Sequence, residues 1–254
     1  MLSGDKMQIE FKNVSKSFFT LKDETKVLTN INIQIPKGKI VAIVGPSGCG
    51  KSTLLNLISG LLKPDEGIVK VDGKIGYMFQ KDNLLSWRNV YKNITLGPEI
   101  KKIKVSEEHI DSILKKYGLY EFKYKYPSEL SGGMRQRVAL IRTLVLNPDI
   151  LLLDEPFSSL DFQSKIIVQD DIYKIIKESK KTTIMVTHDI SEAISMADII
   201  YVLTNRPSTI KNKFEIDLNI KDDEKTPLNS RKSEMFNQYF SLIWKELNFD
   251  ELNI

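Results

Sequence analysis

Ile40-Val-Ala-Ile-Val44 runs directly into Gly45-Pro-Ser-Gly-Cys-Gly-Lys51-Ser52, and an apolar segment, Ser52 to Leu62, follows. A continuous Val/Ile run of this length reads as a strand buried on both faces, and the segment after the loop reads as a helix. Glycines between a strand and a helix let backbone N–H groups curl around phosphate oxygens, while the helix points its positive end at them. Lys51 is then placed to reach the β- and γ-phosphates of a nucleotide, and Ser52 to ligate Mg2+. Gly45, Pro46, Ser47, Gly48, Cys49, Gly50, Lys51, Ser52 and Thr53 are therefore candidate nucleotide-binding positions. A turn that merely caps a helix would not need this strand-loop-helix context.

Outward from that loop, three more apolar runs end abruptly in polar residues. Ile75-Gly-Tyr-Met-Phe79 precedes Gln80, Ile150-Leu-Leu-Leu153 precedes Asp154, and Thr183-Ile-Met-Val-Thr187 precedes His188. Such runs predict a parallel sheet covered by helices, in which ligands bind beyond the carboxyl ends of the strands. Gln80, Asp154 and His188 should thus reach the same sheet edge as the phosphate loop. Gln8 to Pro36 alternates in patches (Ile9, Phe11, Val14; Ile31, Ile33, Ile35) and predicts antiparallel strands beside the core. From about Asn83 to Asn147 the pattern turns helical, with Ile110, Ile113, Leu114 and Tyr117 on one face, which predicts a helical lobe inserted into the α/β core. After a polar linker, Lys221 to Ser230, a last helix carries Phe236, Tyr239, Phe240, Ile243, Trp244 and Leu247 as one apolar stripe, for core packing or for a partner.

Composition sets limits on this architecture. The 254 residues, 41% of them hydrophobic, suffice for a buried core. No apolar run nears the roughly 18 residues of a bilayer-spanning helix. Met1 to Phe11 lacks the apolar core and small-residue cleavage site of a leader, so nothing directs the chain out of the cell. The one cysteine, Cys49, has no internal disulfide partner and no metal-ligand spacing. Lys and Arg number 37 against 33 acids, and the lysine clusters at 101–104, 123–125 and 180–181 read as solvated surface rather than as a nucleic-acid patch.

Two further segments carry chemistry. Asp154, leaving a buried strand, can hold the magnesium shell, and Glu155 can polarise an attacking water; two acids after a strand could instead cap the next helix. Leu130-Ser131-Gly-Gly-Met-Arg-Gln-Arg137 opens another helix, where Ser131 with the N–H groups of Gly132 and Gly133 makes a second anion cradle. This segment resembles the signature sequence of ATP-binding-cassette (ABC) ATPases. The resemblance runs from about Ile9 to Leu203 and implies a RecA-like P-loop core with a parallel sheet, an N-terminal antiparallel β-subdomain and an inserted helical subdomain.

The resemblance implies roles position by position. Gln80 corresponds to the glutamine that touches magnesium and attacking water and senses a transmembrane partner. Ser158-Ser-Leu-Asp161 is similar to the loop that signals between two nucleotide sites. His188 matches the histidine that contacts the γ-phosphate, and Phe18 the aromatic that stacks on adenine, with Phe19 a rival. The catalytic set is then Glu155, His188, Lys51 and Gln80, with Ser52, Gln80 and Asp154 at the metal. The family pattern further implies ATP and Mg2+ as cofactors and a homodimer packed head to tail, so that nucleotide on Lys51 and Ser52 of one copy is closed over by Ser131 and Gly133 of the other. It implies a transmembrane permease as partner and a position on the cytoplasmic face of the membrane. The expected boundaries are 1–82 for the β-subdomain and the start of the core, 83–147 for the helical subdomain, 148–205 for the rest of the core, and 206–254 for a C-terminal extension.

A narrower likeness lies in Leu84-Leu-Ser-Trp87-Arg88-Asn-Val90 and in Asn205-Arg206-Pro207 followed by Ile210 and Phe214-Glu-Ile-Asp-Leu218. These resemble the nitrate/sulfonate/taurine-type importer ATPases, which implies uptake of a small solute selected by the permease and, indirectly, a solute-binding protein. Asp72-Gly-Lys-Ile75 is shorter than that group's usual connection. In the importer reading Leu84, Leu85 and Trp87 help receive a permease helix; packing within the helical lobe is the other reading. The competing function is a soluble cassette ATPase acting on ribosomes or nucleic acid. Such proteins usually carry two cassettes or a long coiled coil, and neither is present, so no nucleic-acid partner is expected.

Overall fold

The computed structural model describes residues 6–20, 23–221 and 224–248. The first five residues, part of the stretch in which no leader is legible, lie outside the described residues, as do positions 222 and 223 of the polar linker and the last six residues. The chain opens with β1 (Met7–Phe19), β2 (Glu24–Pro36), β3 (Ile40–Val44), helix α1 (Lys51–Ile58) and β4 (Glu66–Val71). Next come β5 (Ile75–Met78), α2 (Val90–Ile94), α3 (Leu96–Lys101), α4 (Glu107–Lys116), α5 (Gly132–Leu144), β6 (Ile150–Asp154) and α6 (Phe162–Ser179). Then follow β7 (Thr182–Thr187), α7 (Ile190–Met196), β8 (Ile199–Leu203), β9 (Ile210–Glu215), α8 (Pro227–Ser230) and α9 (Glu234–Asn248). Among the described residues no helix is long and apolar enough to cross a membrane.

These elements form two compact units, one of residues up to Gly73 together with those from Lys181 onward, the other Lys74–Lys180. In the first, β2, β1 and β4 make an antiparallel sheet in that order. Ile9 pairs with Ile35, Phe11 with Ile33 and Val14 with Ile31, so the alternating apolar residues stack on one buried face. Beside it, β3 lies between β7 and β8 and is parallel to both, while β9 closes the edge antiparallel to β8. Every residue of β3, β7 and β8 is buried, the pattern of strands covered on both faces. The α9 stripe divides: Phe236 and Ile243 are buried, Tyr239 donates to Glu215 O at 3.0 Å, and Trp244 stays 54% exposed, stacked on Phe240.

In the second unit β5 and β6 pair in parallel, Met78 level with Leu153. The helical lobe has its own core of Val90, Ile94, Ile110, Leu114, Leu119, Leu130, Val138 and Ile141, against which Leu84 packs. Asn89 caps α2 and Ser106 caps α4, each accepting a backbone N–H three residues on. Asn93, fully buried, accepts from Leu85 N at 2.8 Å and donates to the carbonyls of Leu85, Arg88 and Asn89. That stitching fixes the Leu85–Asn89 turn and leaves Trp87 at its tip, 73% exposed. Leu84 thus serves the lobe core, whereas Trp87 serves no core.

Candidate nucleotide site

In the first unit Val44 is level with Thr187 on one side and with Val202 on the other. Parallel strands in this register release Gly45 and His188 at one edge, as the sequence predicts. Gly48 and Gly50 take φ of +76° and +113°, which L side chains rarely adopt. A Cβ at Gly45 would sit 2.9 Å from Cys49 Sγ, and one at Gly50 would sit 2.8 Å from Val27 Cγ1. Lys51 Nζ donates to Gly45 O (2.8 Å) and Pro46 O (2.9 Å), drawing the loop into a ring. Gly50 caps α1 without a side chain, and the first turn holds no acid, so nothing on the helix competes with a phosphate for its positive end. The loop therefore fits a polyphosphate. Cys49 is buried, and burial pushes its thiol pKa up against the pull of Lys51, as for a packing residue.

His188 is exposed beyond β7. The buried Glu192 carboxylate accepts from Thr187 Oγ1 at 2.6 Å, and Asp189 N donates to the same hydroxyl at 3.0 Å. Asp189 Oδ1 in turn accepts from Ser191 N and Glu192 N, so the turn carrying His188 is bonded on its C-terminal side. Phe18 and Phe19 end β1, 41% and 72% exposed, so neither is a core aromatic. As neighbours on a strand they face opposite ways, and Lys16 Nζ lies 5.8 Å from the Phe18 ring centre.

In the second unit the β5–β6 register brings Gln80 to Glu155. Gln80 Nε2 donates to Glu155 Oε2 at 3.1 Å and reaches Ser158 Oγ at 3.4 Å, while Ser158 Oγ donates to Glu155 O at 3.1 Å. Glu155 itself has φ of +43°, a left-handed conformation that costs a side-chain-bearing residue about 1–2 kcal/mol. Asp154 is buried at the end of β6, where Tyr77 OH lies 3.4 Å from its Oδ2. Burial, then the Asp154 charge, raises the Tyr77 phenol, keeping it protonated as a donor.

Ser131 caps α5, accepting from Met134 N at 3.3 Å, with Gly132 and Gly133 in the first turn. Gly133 also answers to packing, since a Cβ there would lie 2.3 Å from Val168 Cγ2 of α6. Asp161 is exposed and caps α6, its Oδ1 accepting from Ser164 N at 3.0 Å, which holds its pKa below the usual carboxylate range. Sequence reading missed two arginines. Arg135 Nε donates to Asp82 Oδ2 (3.0 Å), and Arg142 donates to the carbonyls of Asp82 and Asn83 (both 2.7 Å), tying the segment after Gln80 to the helix that Ser131 caps. Their seven-residue spacing, which puts both on one helix face, was the available signal.

Phe18, the phosphate loop and His188 thus belong to one unit, and Gln80, Ser131 to Gly133, Asp154, Glu155 and Asp161 to the other. The family model described as ABC transporter matches residues 28–158. An uncharacterized ABC transporter ATP-binding protein, YtlC of Bacillus subtilis, is 42% identical over 93% of this chain and 94% of its own. The nitrate import ATP-binding protein NrtD of Synechocystis is 38% identical over 88% of this chain and 87% of its own. Among solved structures, the dimeric post-hydrolysis state of the ATP-binding cassette MJ0796 bound to ADP and Pi superposes with a TM-score of 0.71 at 33% identity, over 82% of this chain and 99% of that one.

Proposed function

Because this chain belongs to the ABC transporter family and is one of its ATPases, binding ATP with Mg2+, we propose that it energises import of a small solute through a membrane permease. In this reading Gly45 to Thr53 hold the phosphates, Phe18 stacks on adenine, and Ser52, Asp154 and Gln80 supply the oxygen ligands that a hard cation such as Mg2+ prefers. Held by these residues, such a cation would supply positive charge to offset that of the phosphates. Glu155 orients and polarises the attacking water, and His188 contacts the γ-phosphate. Two copies close head to tail, Ser131 and Gly133 of one covering the nucleotide of the other, a reading that the dimeric state of the MJ0796 cassette supports. Closing completes the site around the attacking water and excludes bulk solvent, and reopening is the work delivered to the permease.

The observation that carries the hydrolytic half is the 3.1 Å bond between Gln80 and Glu155, which puts the glutamine expected to sense the permease on the carboxylate expected to activate water. The solute, a sulfonate, nitrate, taurine or a related small organic compound, is a reading supported by the nitrate import of the NrtD relative and by the Trp87 and Arg206-Pro207 segments. Peripheral attachment at the cytoplasmic face and an indirect solute-binding protein complete the reading. Affinity purification from detergent-solubilised membranes tests it: a co-purifying multi-span permease whose solute stimulates ATP hydrolysis is expected. Ribosomes or nucleic acid in its place would reject transport.

A further inference from the structure

The turn Asn205-Arg206-Pro207-Ser208 enters the sequence only as a subgroup marker, yet it is bonded to the phosphate loop. Arg206 donates to the Gly48 carbonyl from Nε at 3.1 Å and from Nη2 at 2.5 Å. Two residues on, the Ser208 hydroxyl bonds the carbonyl of Cys49, with the Thr204 carbonyl 3.1 Å away. Ser208 is fully buried and anchored on β2, its N–H donating to Val27 O at 2.8 Å and its carbonyl accepting from Thr29 N at 2.9 Å. Val27 and Leu28 of that strand are the residues that fill the space beside Gly50. A strap fixed to β2 therefore holds two consecutive carbonyls of the loop.

Peptide planarity turns this into a statement about the phosphate cradle. In a trans peptide the N–H points opposite to the carbonyl of the preceding residue. Fixing the Cys49 carbonyl on Ser208 fixes the Gly50 N–H on the other side of that plane, and fixing the Gly48 carbonyl on Arg206 does the same for Cys49, whose N–H closes the turn onto Pro46 O at 3.3 Å. A charged fork on a carbonyl is a strong, directional restraint. Without it the loop, rich in glycine, has many conformations to lose when it binds phosphate.

We propose that Arg206 is a positioning residue for the nucleotide: it holds the Gly48 carbonyl so that the phosphate loop is preset for a triphosphate before one arrives. The inference rests on reading Gly45 to Thr53 as the ATP loop, and it gives the Arg206-Pro207 segment a task at that site that its role as a subgroup marker does not. Because Arg206 is exposed and bonds backbone rather than core, its removal should act on the loop and not on the fold.

The test compares the full chain with Arg206→Ala and Arg206→Lys by equilibrium titration with ATP, steady-state hydrolysis, thermal melting and amide hydrogen exchange. Arg206→Ala should weaken ATP roughly tenfold, about 1.4 kcal/mol, with the change falling on KM rather than on kcat. Exchange at Cys49, whose N–H shares the peptide plane that Arg206 holds, should quicken while the melting temperature holds. Arg206→Lys, which keeps the charge but not the fork, should recover part of the loss. ATP affinity in Arg206→Ala equal to a normally binding wild type overturns the strap alone, as does a loss confined to kcat or a lowered melting temperature with affinity unchanged. A wild-type chain that takes up no ATP overturns the nucleotide reading itself.

Discussion

Gln80 and Glu155 meet across 3.1 Å although 75 positions separate them, because β5 and β6 pair in parallel and release them at one edge. The amide donor leaves the carboxylate able to accept from a water, the arrangement a positioned base requires. Glu155→Gln keeps the shape and removes the charge. Hydrolysis at saturating ATP should fall at least about 100-fold, with ATP binding by titration retained. Wild-type turnover in the variant would remove Glu155 from its role.

Lys51 has a second duty beyond its charge, since its ammonium bonds the carbonyls of Gly45 and Pro46. Lys51→Ala loses both the cation and the ring closure. ATP affinity should fall by roughly 10- to 100-fold, the range for losing a charged hydrogen-bond donor. Isothermal titration reads this directly, and undiminished binding would count against the cradle.

What the sequence made legible, and what it did not, divides by range. β3, β6 and β7 could be read because strands covered on both faces are written as unbroken apolar runs. β4 and β9 are not legible as strands, since the exposed Lys70 and Lys213 and the half-buried Lys211 interrupt the apolar pattern. α2 and α3, five and six residues long, are too short for a helical period to declare itself. Motif spacing singles out Lys51, Gln80, Asp154 and His188 as candidates, but not the bonds among site residues. Gln80 to Glu155 spans 75 positions and Arg206 to Gly48 spans 158, and no local pattern encodes such partners. The α9 stripe is legible as apolar, yet its division between a buried Ile243 and an exposed Trp244 depends on the side of the helix that packs against α7 and β8.

Thr187 and Glu192 form a buried polar pair at the turn carrying His188. Thr187→Val keeps the volume but deletes the hydroxyl that donates to Glu192 and accepts from Asp189 N. Leaving such groups short of a partner costs about 1–3 kcal/mol. The urea midpoint should drop accordingly, with the slope of the transition unchanged.

Gly133 is held to glycine by packing, apart from the nucleotide role proposed for it. Gly133→Ala puts a Cβ 2.3 Å from Val168 Cγ2, and overpacking of this kind costs about 1–3 kcal/mol. The double variant Gly133→Ala, Val168→Ala removes the obstructing methyl groups and should regain much of the stability. A single variant that melts like wild type would remove overpacking between α5 and α6 as the reason for glycine here.

Glu99 and Arg88 set an acid limit on the helical lobe. Both carboxylate oxygens accept from Arg88 Nη2, at 2.6 and 2.7 Å, and Thr95 Oγ1 adds a third bond at 2.8 Å. The Arg88 bond, ahead of Thr95, holds the Glu99 pKa below its ordinary value near 4.5, against a smaller opposing effect of burial. A depressed folded pKa means that the unfolded chain takes up the proton first, so the pair contributes in full above the unfolded pKa and its contribution fades as pH falls through the folded one. Glu99 is half exposed, so that contribution is under about 1 kcal/mol. Wild type should therefore exceed Glu99→Gln in urea stability at pH 7, and the two curves should converge as pH drops below about 4. A gap that stays constant between pH 7 and pH 3 would mean that the lobe draws on the shape of this side chain and not on its charge.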